Sequence, residues 1–164
     1  MFQRIKCSII FFLLLGLISC NKESHFTSYY TIGIEGMSTK PYVFELSDIS
    51  FESKPHNIFV HLRNDNSYVF NNIFLICSLK VADELVLQDT LEYAMAKPDG
   101  TWLGDGFTEV KESKLWWKEG IFFPESKPLV VEISHAMRKS GSIKGISNLE
   151  GIVSVGLSVE ALDK

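Results

Sequence analysis

Apolar and polar positions alternate along much of this chain, most sharply between Glu84 and Ala96. Leu85, Leu87, Leu91, Tyr93 and Met95 fall on one face of an extended segment; Val86, Gln88, Thr90, Glu92 and Ala94 fall on the other. A period of two predicts a half-buried β-strand. Lys97-Pro98-Asp99-Gly100 stops it, because proline presets φ at the second turn position and glycine accepts the positive φ that follows. An aromatic-glycine loop then runs through Trp102 to Phe107. Asp89 interrupts the apolar row. An unpartnered buried carboxylate is costly, so the expectation is a bulge or an edge position that turns it outward, with burial among partners as the alternative.

Similar patterns predict further strands at Tyr29–Glu35, Tyr42–Leu46, Asn57–Arg63, Asn72–Val81, Pro128–His135 and Ile152–Glu160. Asn57–Arg63 is apolar on both sides and predicts a strand covered on both faces. In Pro128–His135 the inward row is Leu129, Val131, Ile133 and His135; in the last strand it is Val153, Val155, Leu157 and Val159, with Ser154, Gly156 and Ser158 opposite. Asn64–Ser67 and Ser140-Gly141 are turn signals. Ser47–Pro55 fits a short strand or a loop. Thr108–Lys114 reads as a helical turn or a loop, and Leu115–Phe123 as an aromatic-rich segment ending at Pro124. Sequential pairing would make a meander of Asn57–Arg63, Asn72–Val81 and Glu84–Ala94. No predicted helix is long enough to cross over a parallel sheet. The expected fold is therefore all-β, an antiparallel β-sandwich of jelly-roll-like or immunoglobulin-like topology, which periodicity alone does not separate.

The amino terminus is different in kind. Arg4 and Lys6 precede an apolar run from Ser8 to Ile18, the form of a signal peptide and too short for a comfortable membrane span. Its end, Leu17-Ile18-Ser19-Cys20, resembles a bacterial lipobox, which implies diacylglyceryl transfer to the Cys20 sulfur, cleavage after Ser19 and acylation of the new amino terminus. The expected organisation is a lipoprotein signal peptide over 1–19, a lipidated tether over 20–28 and one domain over 29–164. No cofactor is expected beyond the covalent diacylglycerol and N-acyl chain on Cys20. Two or more chains hold a protein stably on a bilayer, where one does not. Lys22-Glu23 is similar to the charged tethers of some surface lipoproteins of Bacteroidetes, and the expected location is the outer rather than the inner membrane, with the leaflet open. Of three cysteines, only Cys77 is left as a free thiol, so an intramolecular disulfide framework is excluded. It sits with Ile73, Leu75 and Leu79 and predicts a small buried filler.

A net charge of −4 gives no broad basic surface for nucleic acid. The histidines His25, His56, His61 and His135 form no close ligand pair, and His135, on an apolar face, reads as a core residue. No G-x-S-x-G elbow is present. Asp99-Gly100 to Asp105-Gly106 lacks the alternating oxygens of a calcium loop. An enzyme is not expected. The residues left for partner binding are Arg63, Asp65, Trp102, Trp116 and Arg138. Adjacent in a strand, Trp116 and Trp117 must point to opposite faces, so one belongs to the core and at most one is displayed. A tryptophan-bearing sandwich also admits a glycan-binding reading.

Seven segments, in order, carry a resemblance: Leu62–Asp65, Asn72–Ile76, Asp89–Ala96, Pro98–Gly104, Lys114–Glu119, His135–Arg138 and Gly151–Glu160. Together they are similar to the gliding motility lipoprotein family GldH of Bacteroidetes. The resemblance implies a non-enzymatic envelope lipoprotein required for gliding, linked to the type IX secretion machinery and to other envelope lipoproteins. It carries over no catalytic residue and is silent over residues 36–55.

Overall fold

The computed structural model describes residues 24–46, 51, 54–124 and 128–162. Cys20, the leader and most of Ser47–Pro55 lie outside the described residues. The strands in chain order are β1 (Ser24–Thr31), β2 (Met37–Ser38), β3 (Tyr42–Glu45), β4 (His56–Asn64) and β5 (Asn72–Val81), then β6 (Glu84–Ala94), β7 (Lys111–Ile121), β8 (Leu129–His135), β9 (Asn148–Leu149) and β10 (Ile152–Ala161). One sheet has the order β1-β10-β4-β7 and the other β3-β8-β5-β6, all pairs antiparallel, with β2 and β9 forming a small separate pair.

That order settles the topology. Leaving β2 and β9 aside, every connection along the chain changes sheet except β5 to β6. Two interlocked Greek keys of this kind make a jelly roll. The expected meander is corrected: β4 pairs with β10 and β7, never with β5, and only β5–β6 is a hairpin. Its turn, Ala82-Asp83, has φ of 49° and 67°, the pair of positive values that lets two antiparallel strands keep their twist through a two-residue loop. The first strand begins at Ser24, where it pairs with Glu160, so the sandwich takes up Ser24–Ser28 of the segment read as a tether.

The two sheets close over one apolar core. Val60, Leu62, Leu75, Cys77, Ile133, Val155 and Leu157 are fully buried within it. Cys77 is the expected filler, and burial pushes its thiol up to about 12. His135 is a core residue whose Nδ1 accepts the Met137 N–H at 3.4 Å. Burial holds its pKa below the ordinary value, so it packs as a neutral ring. Two inward rows needed correction. A register shift between Leu79 and Lys80 opposes Lys80 to Leu85, and Leu85 ends exposed. A second shift, between Ile152 and Ser154, makes Val153 the extra residue of a bulge, and Ile152 takes its place in the core.

Thr108–Lys114 is neither helical turn nor simply loop, for β7 already runs from Lys111. Ser113, Leu115 and Trp117 point inward and Lys114 and Trp116 outward, so the adjacent tryptophans divide between core and surface as expected. The inward face of β7 meets β6, the edge strand of the other sheet. Asp89 lies on an edge strand but is not turned outward: it stands regularly opposite Cys77, with no bulge, and keeps to the inward row among partners, the alternative reading. Its Oδ2 accepts the Trp117 indole N–H at 2.9 Å and pairs with Lys118 Nζ at 3.1 Å, while Tyr93 Oη donates to the Trp116 carbonyl at 2.6 Å. Burial works to raise the Asp89 pKa, yet the Trp117 and Lys118 hydrogen bonds and the ammonium charge bring it below the ordinary value. The sandwich is thus stitched along its β6–β7 side by groups that leave neither indole nor carboxylate unsatisfied.

Trp117→Ala should therefore destabilise the fold by about 3–5 kcal/mol, since a large core ring and a paired donor are lost together, whereas Trp116→Ala should cost less than about 1 kcal/mol. Urea denaturation of the two purified variants beside the parent checks the contrast.

Candidate functional site

The outward face of the β1-β10-β4-β7 sheet is where polar and aromatic side chains gather. Register places Tyr29, Gly156, His61 and Lys114 in one row across the four strands. Thr31, Ser154, Arg63 and Glu112 form the next row, and Thr27, Ser158, Phe59 and Trp116 the row on the other side. Opposed residues of one sheet face come within reach of one another, so three rows make a patch. Gly156 leaves the space that Tyr29 fills: a Cβ there would lie 2.4 Å from the Tyr29 ring. The ring lies over the strand and shields what is beneath it.

Glu112 is the hub. Its Oε2 accepts Arg63 Nε at 2.8 Å and its Oε1 accepts Tyr29 Oη at 2.9 Å, with His61 Nδ1 at 3.3 Å. The Arg63 guanidinium also lies 4.6 Å from the Tyr29 ring centroid, a cation–π contact. On the far side of the imidazole, His61 Nε2 is 2.8 Å from Ser158 Oγ. A carboxylate only accepts, so Nδ1 carries the ring proton toward Glu112 and Nε2 accepts from the serine hydroxyl. Lys114 pairs with Glu160 and stands 4.0 Å from the centroid of Phe59, which packs edge-on against Trp116 at 4.9 Å.

Electrostatics follow from these contacts. Burial alone would raise the Glu112 pKa; hydrogen bonds from Arg63 and Tyr29 and the guanidinium charge overcome it and hold the group below the ordinary value. Desolvation and the Glu112 carboxylate push Tyr29 up to about 12. Burial lowers His61 despite the opposing pull of Glu112, so the ring is neutral near pH 7.

Serine, imidazole and carboxylate in line are the parts of an acyl-transfer relay. Here the serine is sealed: Ser158 is 2% exposed, His61 is 8% exposed, and Ser158 lies in the middle of a central strand whose backbone is paired on both sides. A substrate carbonyl has no approach to Oγ, and paired amides are not free to form an oxyanion hole. Among the described residues, no three His, Cys, Asp or Glu side chains gather as a metal site.

The five residues read from sequence as a partner surface fall in three places. Arg63 and Trp116, the latter 45% exposed, share this outer face. Asp65 and Trp102 lie at the end of the sandwich formed by the β4–β5 and β6–β7 connections. There Asp65 Oδ1 accepts the Ser67 N–H at 2.8 Å, and the Trp102 indole donates to Asn66 Oδ1 at 3.2 Å. Arg138 is exposed in the β8–β9 connection, bridged to Gly145, on the rim of a groove over the other sheet. Tyr29, His61, Glu112 and Ser158 were not singled out. Their only sequence signal is a polar residue at each outward position of strands that pair across 49 to 97 residues of chain.

Comparison with known proteins bears on the whole chain. The family model described as GldH lipoprotein matches residues 26–159. The chain is similar to the gliding motility lipoprotein GldH homolog of Christiangramia forsetii, 43% identical over 155 residues that cover 94% of each chain. It is also similar to the gliding motility lipoprotein GldH of Flavobacterium johnsoniae, 42% identical over 162 residues, 98% of this chain and 100% of that one. Among solved structures, dimeric latent PorU from Porphyromonas gingivalis aligns with 90% of this chain and 14% of its own, at 11% identity and a TM-score of 0.32. The infectious bursal disease virus Gx strain aligns with 83% of this chain and 32% of its own, at 16% identity and a TM-score of 0.33.

The site's titrations make a prediction. His61 and Glu112 both have folded-state pKa values below their ordinary values of 6.5 and 4.5, so as pH falls the unfolded chain takes up protons first. Their stabilising contributions are complete above those ordinary values and are lost as pH drops through the folded ones. Urea midpoints measured from about pH 7.5 to about pH 3.5 should decline in two parts. His61→Gln should shrink the upper part, which His135 shares, and Glu112→Gln the lower part, which Asp89 shares.

Proposed function

Because the chain belongs to the GldH lipoprotein family, we propose that it serves gliding motility as a lipid-anchored, non-catalytic protein linked to the type IX secretion machinery and to other envelope lipoproteins. Family membership makes it a gliding-motility lipoprotein of the cell envelope, associated with a membrane through its lipid anchor. The finer reading places that anchor at Cys20, as a diacylglycerol and an N-acyl chain, in the outer rather than the inner membrane. The observation that carries the proposal is the extent of the match: it runs from β1 through β10, so the shared part is the entire sandwich and not a single motif.

Two features support work by contact rather than by turnover. The cluster around Glu112 is satisfied from within, and Ser158, the hydroxyl beside His61, is buried. Cys77, the described thiol, is also buried, with its pKa raised away from the reactive range. A second reading, glycan binding, draws on Trp116 alone, displayed beside Lys114 on the outer face. A glycan array probed with the purified protein and with Trp116→Ala separates the two; tryptophan-dependent sugar binding would favour the second.

Cys20→Ser should abolish palmitate labelling, release the protein from the membrane fraction and stop colony spreading, and gene deletion should impair both spreading and export of type IX cargo. Retained spreading and membrane attachment in the Cys20 variant would contradict the anchor. A fluorophosphonate should leave Ser158 unlabelled on mass analysis; stoichiometric labelling would contradict the non-catalytic reading.

A further inference from the structure

The sandwich has two unlike ends. One gathers the start of β1, the end of β10, the start of β4, the end of β7 and the β5–β6 hairpin, because Ser24 pairs with Glu160, His56 with Ala161 and Ile121, and the Ala82 N–H with the Pro128 carbonyl. Cys20 precedes Ser24 by four residues, a reach of at most about 14 Å. Granted the proposed anchor at Cys20, on which this inference rests, that end lies against the bilayer. The opposite end is a strand length away, about 33 Å for a ten-residue strand such as β10.

The far end exposes apolar loops, and the near end exposes Leu85, Val86 and Phe122 as well. The loops of the far end expose Ile34, Val69, Leu103, Phe107 and Ile143, with Val69 82% and Ile143 95% exposed. Behind Val69 a groove of about 690 Å³ opens over the end of the β3-β8-β5-β6 sheet, lined by Phe70, Phe74, Ala136 and Met137. Its floor is fixed: the Ala136 N–H donates to the Phe74 carbonyl at 2.9 Å, and the Phe74 N–H to Met137 Sδ at 3.3 Å. Arg138 and Lys139 stand side by side on the rim, and neither forms an ion pair with a described residue. In a chain of net charge −4, two adjacent unpaired cations beside an apolar trough are a local reversal of charge.

We propose that this groove docks a segment of a partner protein in which apolar side chains are flanked by acidic ones. The trough takes the apolar residues, and Arg138 and Lys139 take the carboxylates, Arg138 with the planar fork that suits bidentate pairing. The bilayer that holds the anchor is out of reach of this end, which leaves a protein rather than that membrane as the occupant. The Asn72 amide at the groove is already committed, donating to Glu92 at 2.6 Å.

The test places a benzophenone amino acid at Val69 of the full-length, acylated protein in living cells, with Val86 at the opposite end as the control position. The expected result is a protein adduct at Val69 and none at Val86, the crosslinked peptide carrying acidic residues beside apolar ones. In Arg138→Glu/Lys139→Glu the adduct should fall about tenfold or more, while Arg138→Lys/Lys139→Arg retains it. No protein adduct, an adduct with lipid or a second copy of this chain, a basic or uncharged crosslinked segment, or an adduct indifferent to charge reversal would each overturn the proposal. Acylation is read on the same samples: a chain without lipid defeats the orientation, whereas a missing adduct on an acylated chain defeats the groove.

Discussion

One carboxylate on an inward row fixes much of this architecture. Asp89 stands on the edge strand of one sheet and accepts from Trp117 and Lys118 on the edge strand of the other. The β4–β7 register shifts at Trp117, which lets Lys118 reach the same carboxylate. Before that point the strand alternates, so once the Trp117 indole is committed to its acceptor the facing of the residues preceding it is determined. Trp116 and Lys114 must look outward, and Glu112 with them. A one-residue slip of β7 would bring Lys114 and Trp116 into the core and carry Leu115 and Trp117 into water. The interaction between sheets thereby decides what the far side of one sheet displays.

The outer face then assembles by register. With β7 facing as it does, Glu112 lies beside Arg63, Lys114 beside His61 and Trp116 beside Phe59. β10 adds Ser158 and the space at Gly156, and β1 adds the Tyr29 ring that covers them. The resulting cluster is closed electrostatically: every partner of Glu112 is also a partner of something else in it. Such a network gives the face a fixed shape, with each polar group held by its neighbours.

Strand identity was legible wherever one face is apolar. Asn72–Val81, Pro128–His135 and the body of Glu84–Ala94 alternate cleanly, and adjacent Trp116 and Trp117 had to part. The start of β7 was not legible, because an edge strand with Ser113 as its inward residue has no apolar row to show. Which strands neighbour one another was also hidden. The change of sheet between β4 and β5 depends on β10 filling the position beside β4, nearly a hundred residues later. For the same reason Arg63 and Trp116 could be picked out singly, while Glu112, His61, Tyr29 and Ser158, which join them, could not. The family was the opposite case, written in short contiguous segments that need no fold to be read.

The tie between the sheets is open to direct measurement by a double-mutant cycle on Asp89→Ala and Trp117→Phe, read as unfolding free energies. Hydrogen bonding to a charged acceptor predicts a coupling of about 1 kcal/mol or more between the two sites. Additivity within about 0.3 kcal/mol would mean that the two side chains do not hold β7 in place, and would contradict the account.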